Sequence, residues 1–173
     1  YHHENSAIIH RLKKVNCVRL IFPEYANPFF LSLAVHIAKI AEERGYTVFQ
    51  CWVSEGFASF KNAMECLIGK NIDGIIVVAP ESIDKEGIRL IKSLQTAQIP
   101  LVLLDRAVYS VFSDFVSSDN KYGGRCATEH LIINGHQKIG IILGGGATYT
   151  ADKRLEGYKE ALARHKIAGH EEW

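Results

Sequence analysis

The 173-residue sequence predicts an α/β fold: a doubly wound parallel sheet with alternating βα units. Three observations carry this reading. Short apolar runs alternate with amphipathic stretches of helical period. Ile75–Ala79 is continuously apolar, as a strand covered on both faces requires. Pro23, Pro28, Gly45, Pro100 and Gly135 stand at the junctions between runs, where chain-breaking residues are tolerated.

Taken in order, Cys17–Phe22 reads as the first strand, ended by Pro23. Pro28 suits the first turn of a helix, where no N–H is needed. That helix runs to about Arg44, with Phe30, Ala34, Ile37, Ala38 and Ala41 on its buried stripe, and Gly45 stops it. Tyr46–Val53 is the next strand. A helix follows from Phe57 to Gly69, carrying Phe60, Met64, Leu67 and Ile68. Asp73-Gly74 leads into the strand Ile75–Ala79. Asp84 can cap a helix bearing Ile88, Ile91 and Leu94. Pro100 opens the strand Leu101–Leu104, and Phe115–Ser118 is a short fifth strand. Lys121–Asn134 is a helix closed by Gly135. Lys138–Leu143 reads as a sixth strand, followed by Gly144-Gly145-Gly146 and a last helix over Ala151–His165.

The composition narrows the functional classes. Apolar residues make up 47% and charged residues 23%, the balance of a soluble globular chain. Lys+Arg (20) against Asp+Glu (19) leaves a net charge of +1, so there is no general field for nucleic acid or an anionic membrane. No apolar run reaches the roughly 20 residues of a membrane span, and the start lacks the apolar core of a secretory signal. Cys17, Cys51, Cys66 and Cys126 are far apart, with no CxxC, and read as reduced, mostly buried thiols in a cytoplasmic protein. The eight His are scattered without ligand spacing, so neither a metal nor a cofactor is expected.

In a sheet of this kind ligands bind on the loops beyond the carboxyl ends of the strands. That rule selects Pro23–Phe30, Val53–Ser59, Ala79–Asp84, Asp105–Val111 and Gly144–Arg154. In the first, Asn27-Pro28-Phe29-Phe30 has two readings. Asn27 caps a helix and both rings are core, or a ring stacks on the apolar face of a sugar while Asn27 bonds a hydroxyl. Asp105-Arg106 is either a surface ion pair or an acceptor and a donor fork aimed at a ligand. Gly144–Gly146 with Thr148, Thr150 and Arg154 superficially suggests a phosphate cradle, but neither GxxxxGK[ST] nor GxGxxG is present. Arg154 can point its guanidinium into a cleft. Asp119-Asn120 is first a capping signature, and Gly135-His136 a helix stop with an ordered imidazole. No Ser–His–Asp, Cys–His or paired-carboxylate set stands out, which argues against an enzyme.

Several of these stretches occur together in one superfamily: Asn27-Pro28-Phe29-Phe30, Gly45-Tyr46, Asp73-Gly74-Ile75-Ile76, Pro100–Arg106 and Ser118-Asp119-Asn120. His130-Leu131, Gly135–Gly140 and Arg154 with Gly157-Tyr158 continue the series. Over about residues 17–165 the chain resembles the effector-binding core of LacI/GalR transcriptional regulators, and is similar to periplasmic pentose- and hexose-binding proteins. The resemblance implies a periplasmic-binding-protein-like type I fold of two lobes, with a small effector such as a sugar bound between them. It implies ligand contacts at Asn27, Phe29 or Phe30, Asp105, Arg106, Thr150 and Arg154, and a homodimer.

On this reading residues 1–16 are an N-terminal segment, a hinge or tag remnant. Residues 17–137 are a first lobe, and 138–173 the start of a second lobe that stops short, so the fold looks truncated there. Operator DNA would be reached only through a helix-turn-helix that this chain lacks. The rival reading is a sugar-binding protein of an uptake system. The Gly135–Gly140 stretch and the four cysteines favour the regulator.

Overall fold

Why the helices stop where they do explains most of the architecture. The computed structural model describes residues 15–23, 27–54, 57–67, 71–144 and 148–169. Its strands are β1 (Cys17–Pro23), β2 (Thr47–Val53), β3 (Gly74–Val77), β4 (Leu101–Leu104) and β5 (Asp114–Val116). Its helices are α1 (Pro28–Glu43), α2 (Phe57–Glu65), α3 (Lys85–Thr96), α4 (Asn120–Ile133) and α5 (Tyr149–Arg164). Asn27, Asp84, Asp119 and Thr148 cap α1, α3, α4 and α5, each side chain accepting a first-turn N–H. At the other end, the N–H groups of Gly45 and Tyr46 bond back to Glu42 and Ala41, with Gly45 at φ +75. Gly135 and His136 repeat this on Ile132 and Leu131, with Gly135 at φ +88. These paired reverse bonds satisfy the last carbonyls of each helix and turn the chain out of it.

All neighbouring strands are parallel, in the order β2-β1-β3-β4-β5. The chain divides into two compact units, residues 1–116 and 117–173. Within the first, the sheet carries a core on each face. On one side Ile21, Ile75, Val77 and Leu103 pack with Phe60 and Met64 of α2 and Ile91 and Leu94 of α3. On the other, Leu20 and Phe22 of β1 pack with Phe30 and Ala34 of α1. Strand alternation thus sends neighbouring β1 side chains into opposite cores, as a doubly wound sheet demands. Phe22 stacks on Trp52 at 5.3 Å between centroids.

In the second unit α4 and α5 pack face to face. A β-carbon at Gly157 would collide with the carbonyl of Lys121, and one at Gly124 with the carbonyl of Arg154. The two glycines therefore permit the close helix–helix approach. Lys121–Glu160 at 3.0 Å and Arg164–Glu129 at 3.8 Å bridge the helices. The Lys121 ammonium, hydrogen-bonded to Glu160, holds that carboxyl below its usual range. This contribution is therefore present above the ordinary carboxylate range and is lost as pH falls through the lowered value.

Two expectations need correction. Lys138–Leu143 is not a strand: residues 136–144 carry no ladder, because the described residues of this unit include no strand to pair with it. Cys66 is exposed, since the turn after α2 faces solvent, whereas Cys17 is buried. The expected end of the second helix at Gly69, and Gly145 and Gly146, lie outside the described residues. The sequence places the internal division at 137/138, whereas the contacts group α4 with α5.

Phe60 is fully enclosed between the sheet and α3. Phe60→Ala is expected to lower unfolding free energy by about 3–5 kcal/mol, read by urea denaturation, because a ring-sized cavity cannot close.

Candidate ligand-binding site

In the first unit the strands end at a cavity of about 250 Å3. Its walls come from four successive strand ends. Pro23 closes β1, and Asn27 and Phe30 stand at the start of α1. Val53 and Ser54 end β2; Val78, Pro80, Glu81 and Ser82 follow β3; Arg106 follows β4. This is the side on which open parallel sheets bind ligands.

Asn27 does two jobs. Its Oδ1 accepts the Phe29 N–H at 3.0 Å and so fixes the start of α1, which leaves the amide nitrogen as the donor end of a side chain that lines the cavity. Phe30 is only 3% exposed. Phe22 lies 5.9 Å away, Phe29 meets it edge-on at 5.2 Å, and the Arg106 guanidinium carbon sits over the ring at 5.7 Å. Phe30 is therefore a cavity wall whose face Arg106 already covers, and not an open stacking platform. Phe29 is half-exposed and does not line the cavity.

The Asp105-Arg106 pair owes its placement to a strained backbone. Asp105 has φ +64, and the Arg106 N–H donates to the Leu104 carbonyl two residues back, at 2.7 Å. That is a tight γ-turn centred on Asp105, a rare conformation for a residue with a β-carbon. The Asp105 N–H meanwhile donates to the Val116 carbonyl of β5 at 2.8 Å. The turn sends Arg106 back across the end of β3. Its Nη1 donates to the Ala79 carbonyl at 3.2 Å, and its Nη2 lies 3.4 Å from Glu81 Oε1.

In the second unit, Arg154 Nη1 donates to Asn120 Oδ1 at 2.8 Å, and Asn120 Nδ2 donates to the Ser118 carbonyl at 3.1 Å. Asn120 thus orients the arginine, a role its place beside a cap did not announce. Thr150 is buried in the first turn of α5, and Thr148 caps that helix through the Ala151 N–H. Burial raises the Cys17 and Cys51 thiols above their usual range, which keeps both protonated and unreactive at neutral pH. Among the described residues no cluster of His, Cys, Asp or Glu could hold a metal. No helix of the described residues is long and apolar enough to cross a membrane.

Of the expected site residues, the cavity brings together Asn27, Phe30 and Arg106, with Asp105 setting the turn beside it. Thr150 and Arg154 belong to the second unit. Ser54, Glu81 and Ser82 were not singled out from the sequence. Their only signal was position, in two of the loops that follow strands.

A parallel α/β sheet with a small, polar cavity at its strand ends defines the class of open-sheet ligand-binding domains. Residues 16–171 match the family described as periplasmic binding proteins and sugar binding domain of LacI family. The chain belongs to that family. It is 34% identical over 156 residues to the ribose operon repressor of Halalkalibacterium halodurans, covering 90% of this chain and 45% of that protein. It is 27% identical to the transcriptional repressor PurR of Aliivibrio salmonicida, over 97% of this chain and 50% of that protein. A solved structure of the transcriptional regulator CelR with cellobiose superposes with a TM-score of 0.78 at 26% identity, over 92% of this chain and 49% of that one. The chain spans about half the length of the curated relatives it matches.

The γ-turn gives a direct test. Asp105→Val puts a β-branched side chain at positive φ and is expected to cost about 1–2 kcal/mol of stability. Asp105→Gly, which accepts that φ, should lose less stability than Asp105→Val. Equal melting temperatures for both variants would remove the strain.

Proposed function

We propose that the chain is the ligand-sensing core of a LacI/GalR-type transcriptional regulator. It binds a small effector, a sugar or related metabolite, and that binding controls DNA binding allosterically. The observation that carries this reading is the cavity at the strand ends, with Asn27, Phe30 and Arg106 in its wall. The repressor relatives support a cytoplasmic regulator over an uptake protein. In mechanism, an effector that contacts one arrangement of the core better than another shifts the population toward it by its difference in affinity. Coupling of that shift to operator affinity is then reciprocal. We assign the effector contacts to Asn27, Phe30, Asp105 and Arg106 in the first unit and to Thr150 and Arg154 in the second; Phe29 lies outside the cavity wall and is not among them.

Calorimetric titration of the whole regulator with neutral sugars should find a ligand. Arg154→Ala should then weaken it by about 2–4 kcal/mol, because ligand acceptors are left unpaired. Unchanged affinity in that variant would remove Arg154 from the assignment.

We further propose an isologous homodimer, the commonest closed oligomer. Leu31 and Val35, one turn apart on α1, are 38% and 57% exposed, which suits a self-complementary apolar contact. Light scattering at tens of micromolar is expected to give twice the chain mass. A monomer mass would count against the pairing.

A further inference from the structure

Resting on the reading of the first-unit cavity as the effector site, we propose that Glu81 is a specificity-determining residue. By pairing with Arg106 it selects an uncharged, hydroxyl-rich ligand and rejects phosphate esters and carboxylates. Arginine is the side chain best shaped to grip such anions, because its planar fork gives two parallel donors to their oxygens. The Arg106 side chain is 15% exposed and lines a cavity, so alone it would make an anion site. Here each Nη has a partner within the protein, Nη1 donating to the Ala79 carbonyl at 3.2 Å and Nη2 facing Glu81 Oε1 at 3.4 Å. With two N–H groups on each, the fork keeps donors for a ligand hydroxyl but holds a carboxylate beside it.

Among the described residues that line the cavity, Glu81 and Arg106 are the charged ones, and the charges of those residues cancel. The other polar groups in the wall are the Asn27 amide and the Ser54 and Ser82 hydroxyls, which are neutral and suit hydroxyl partners. A hydroxyl can accept from Arg106 and donate to Glu81 at once. A phosphate or carboxylate has only acceptors and meets the Glu81 carboxylate head-on. Repulsion between like charges in a half-enclosed site costs more than it would in bulk water, which makes Glu81 a device against the wrong ligand as much as a contact for the right one. Glu81 sits on the loop after β3 with its side chain 46% exposed, so its replacement by Gln leaves the core untouched.

The test uses inorganic phosphate as the anionic probe, titrated by calorimetry at low salt into wild type, Glu81→Gln and Glu81→Gln/Arg106→Met. Glu81→Gln is expected to bind phosphate about ten-fold more tightly than wild type. The gain should vanish in the double variant, which ties it to Arg106. Thermal melting confirms that each protein is folded. If Glu81→Gln binds phosphate no more tightly than wild type, or neither binds it, the selector role is overturned. Phosphate is not the effector, so this result stands apart from the sugar titrations. Failure to find any neutral ligand would remove the effector reading, and the phosphate comparison would still decide the role of Glu81.

Discussion

The position of β1 along its neighbours is the constraint on which the rest of the first unit depends. β1 is bonded on both sides, to β2 and to β3, so three strands share its register. Asp73 sets that register. Its carboxylate accepts the Cys17 N–H at 2.9 Å and the Val15 N–H at 3.4 Å, while its own N–H donates to the Cys17 carbonyl at 2.8 Å. Leu20 and Ile21 enter opposite cores, and both are fully buried. A slip of one residue would move Arg19 toward the place of Leu20 and exchange the faces of every neighbour. A three-point clamp at the strand's first residue therefore protects two cores. It also fixes where Pro23, Val53 and Val78 end, and those residues line the cavity.

The cavity's chemistry follows from the same geometry, one strand further along. β4 runs one residue past the end of β3, and the γ-turn at Asp105 folds the next residue back instead of letting it continue. Arg106 then spans from the end of β4 to the carbonyl that follows β3, and covers the Phe30 ring at the start of α1. One side chain thus ties three junctions together. The strain at Asp105 is confined to a single residue at the site, which is where backbone strain has a use.

The sequence made elements legible wherever a residue type has one conformational meaning. Asn27-Pro28, Asp84 and Asp119 announced helix starts, and the structure uses each as a cap. Gly45 and Gly135 announced helix ends, and both take the positive φ that favours glycine. The same reverse bonds close α3 at Gln98 and α5 at Lys166, with φ +56 and +55, and there nothing in the residue type gives warning. The site was legible only in part, for the same reason. Position after a strand pointed to the right loops, and Asn27, Phe30 and Arg106 do line the cavity. What each side chain does there depends on partners distant in sequence. Arg106 meets Ala79 and Glu81 across about 25 residues of chain, and Arg154 meets Asn120 across 34. The aromatic run Phe29-Phe30 suggested a stacking face, yet a ring's free face is decided by what packs on it.

The segment 136–144 shows where reading periodicity as structure stops working. Its sequence, His136-Gln137-Lys138-Ile139-Gly140-Ile141-Ile142-Leu143, has the apolar content of a buried strand. A helix satisfies its own backbone, so helical period predicts helical conformation on local grounds. A strand satisfies nothing by itself: each N–H and C=O must find a neighbour, and conformation becomes a property of the pair. Among the described residues of this unit no strand stands beside the segment, and it forms no ladder. Ile142 is fully exposed, while the Ile139 carbonyl accepts the Tyr158 hydroxyl at 2.7 Å. The five runs that did become strands lie in one sheet, each bonded to at least one other. An apolar run in this chain therefore records that burial is favourable, and whether it is a strand is settled by what lies alongside it.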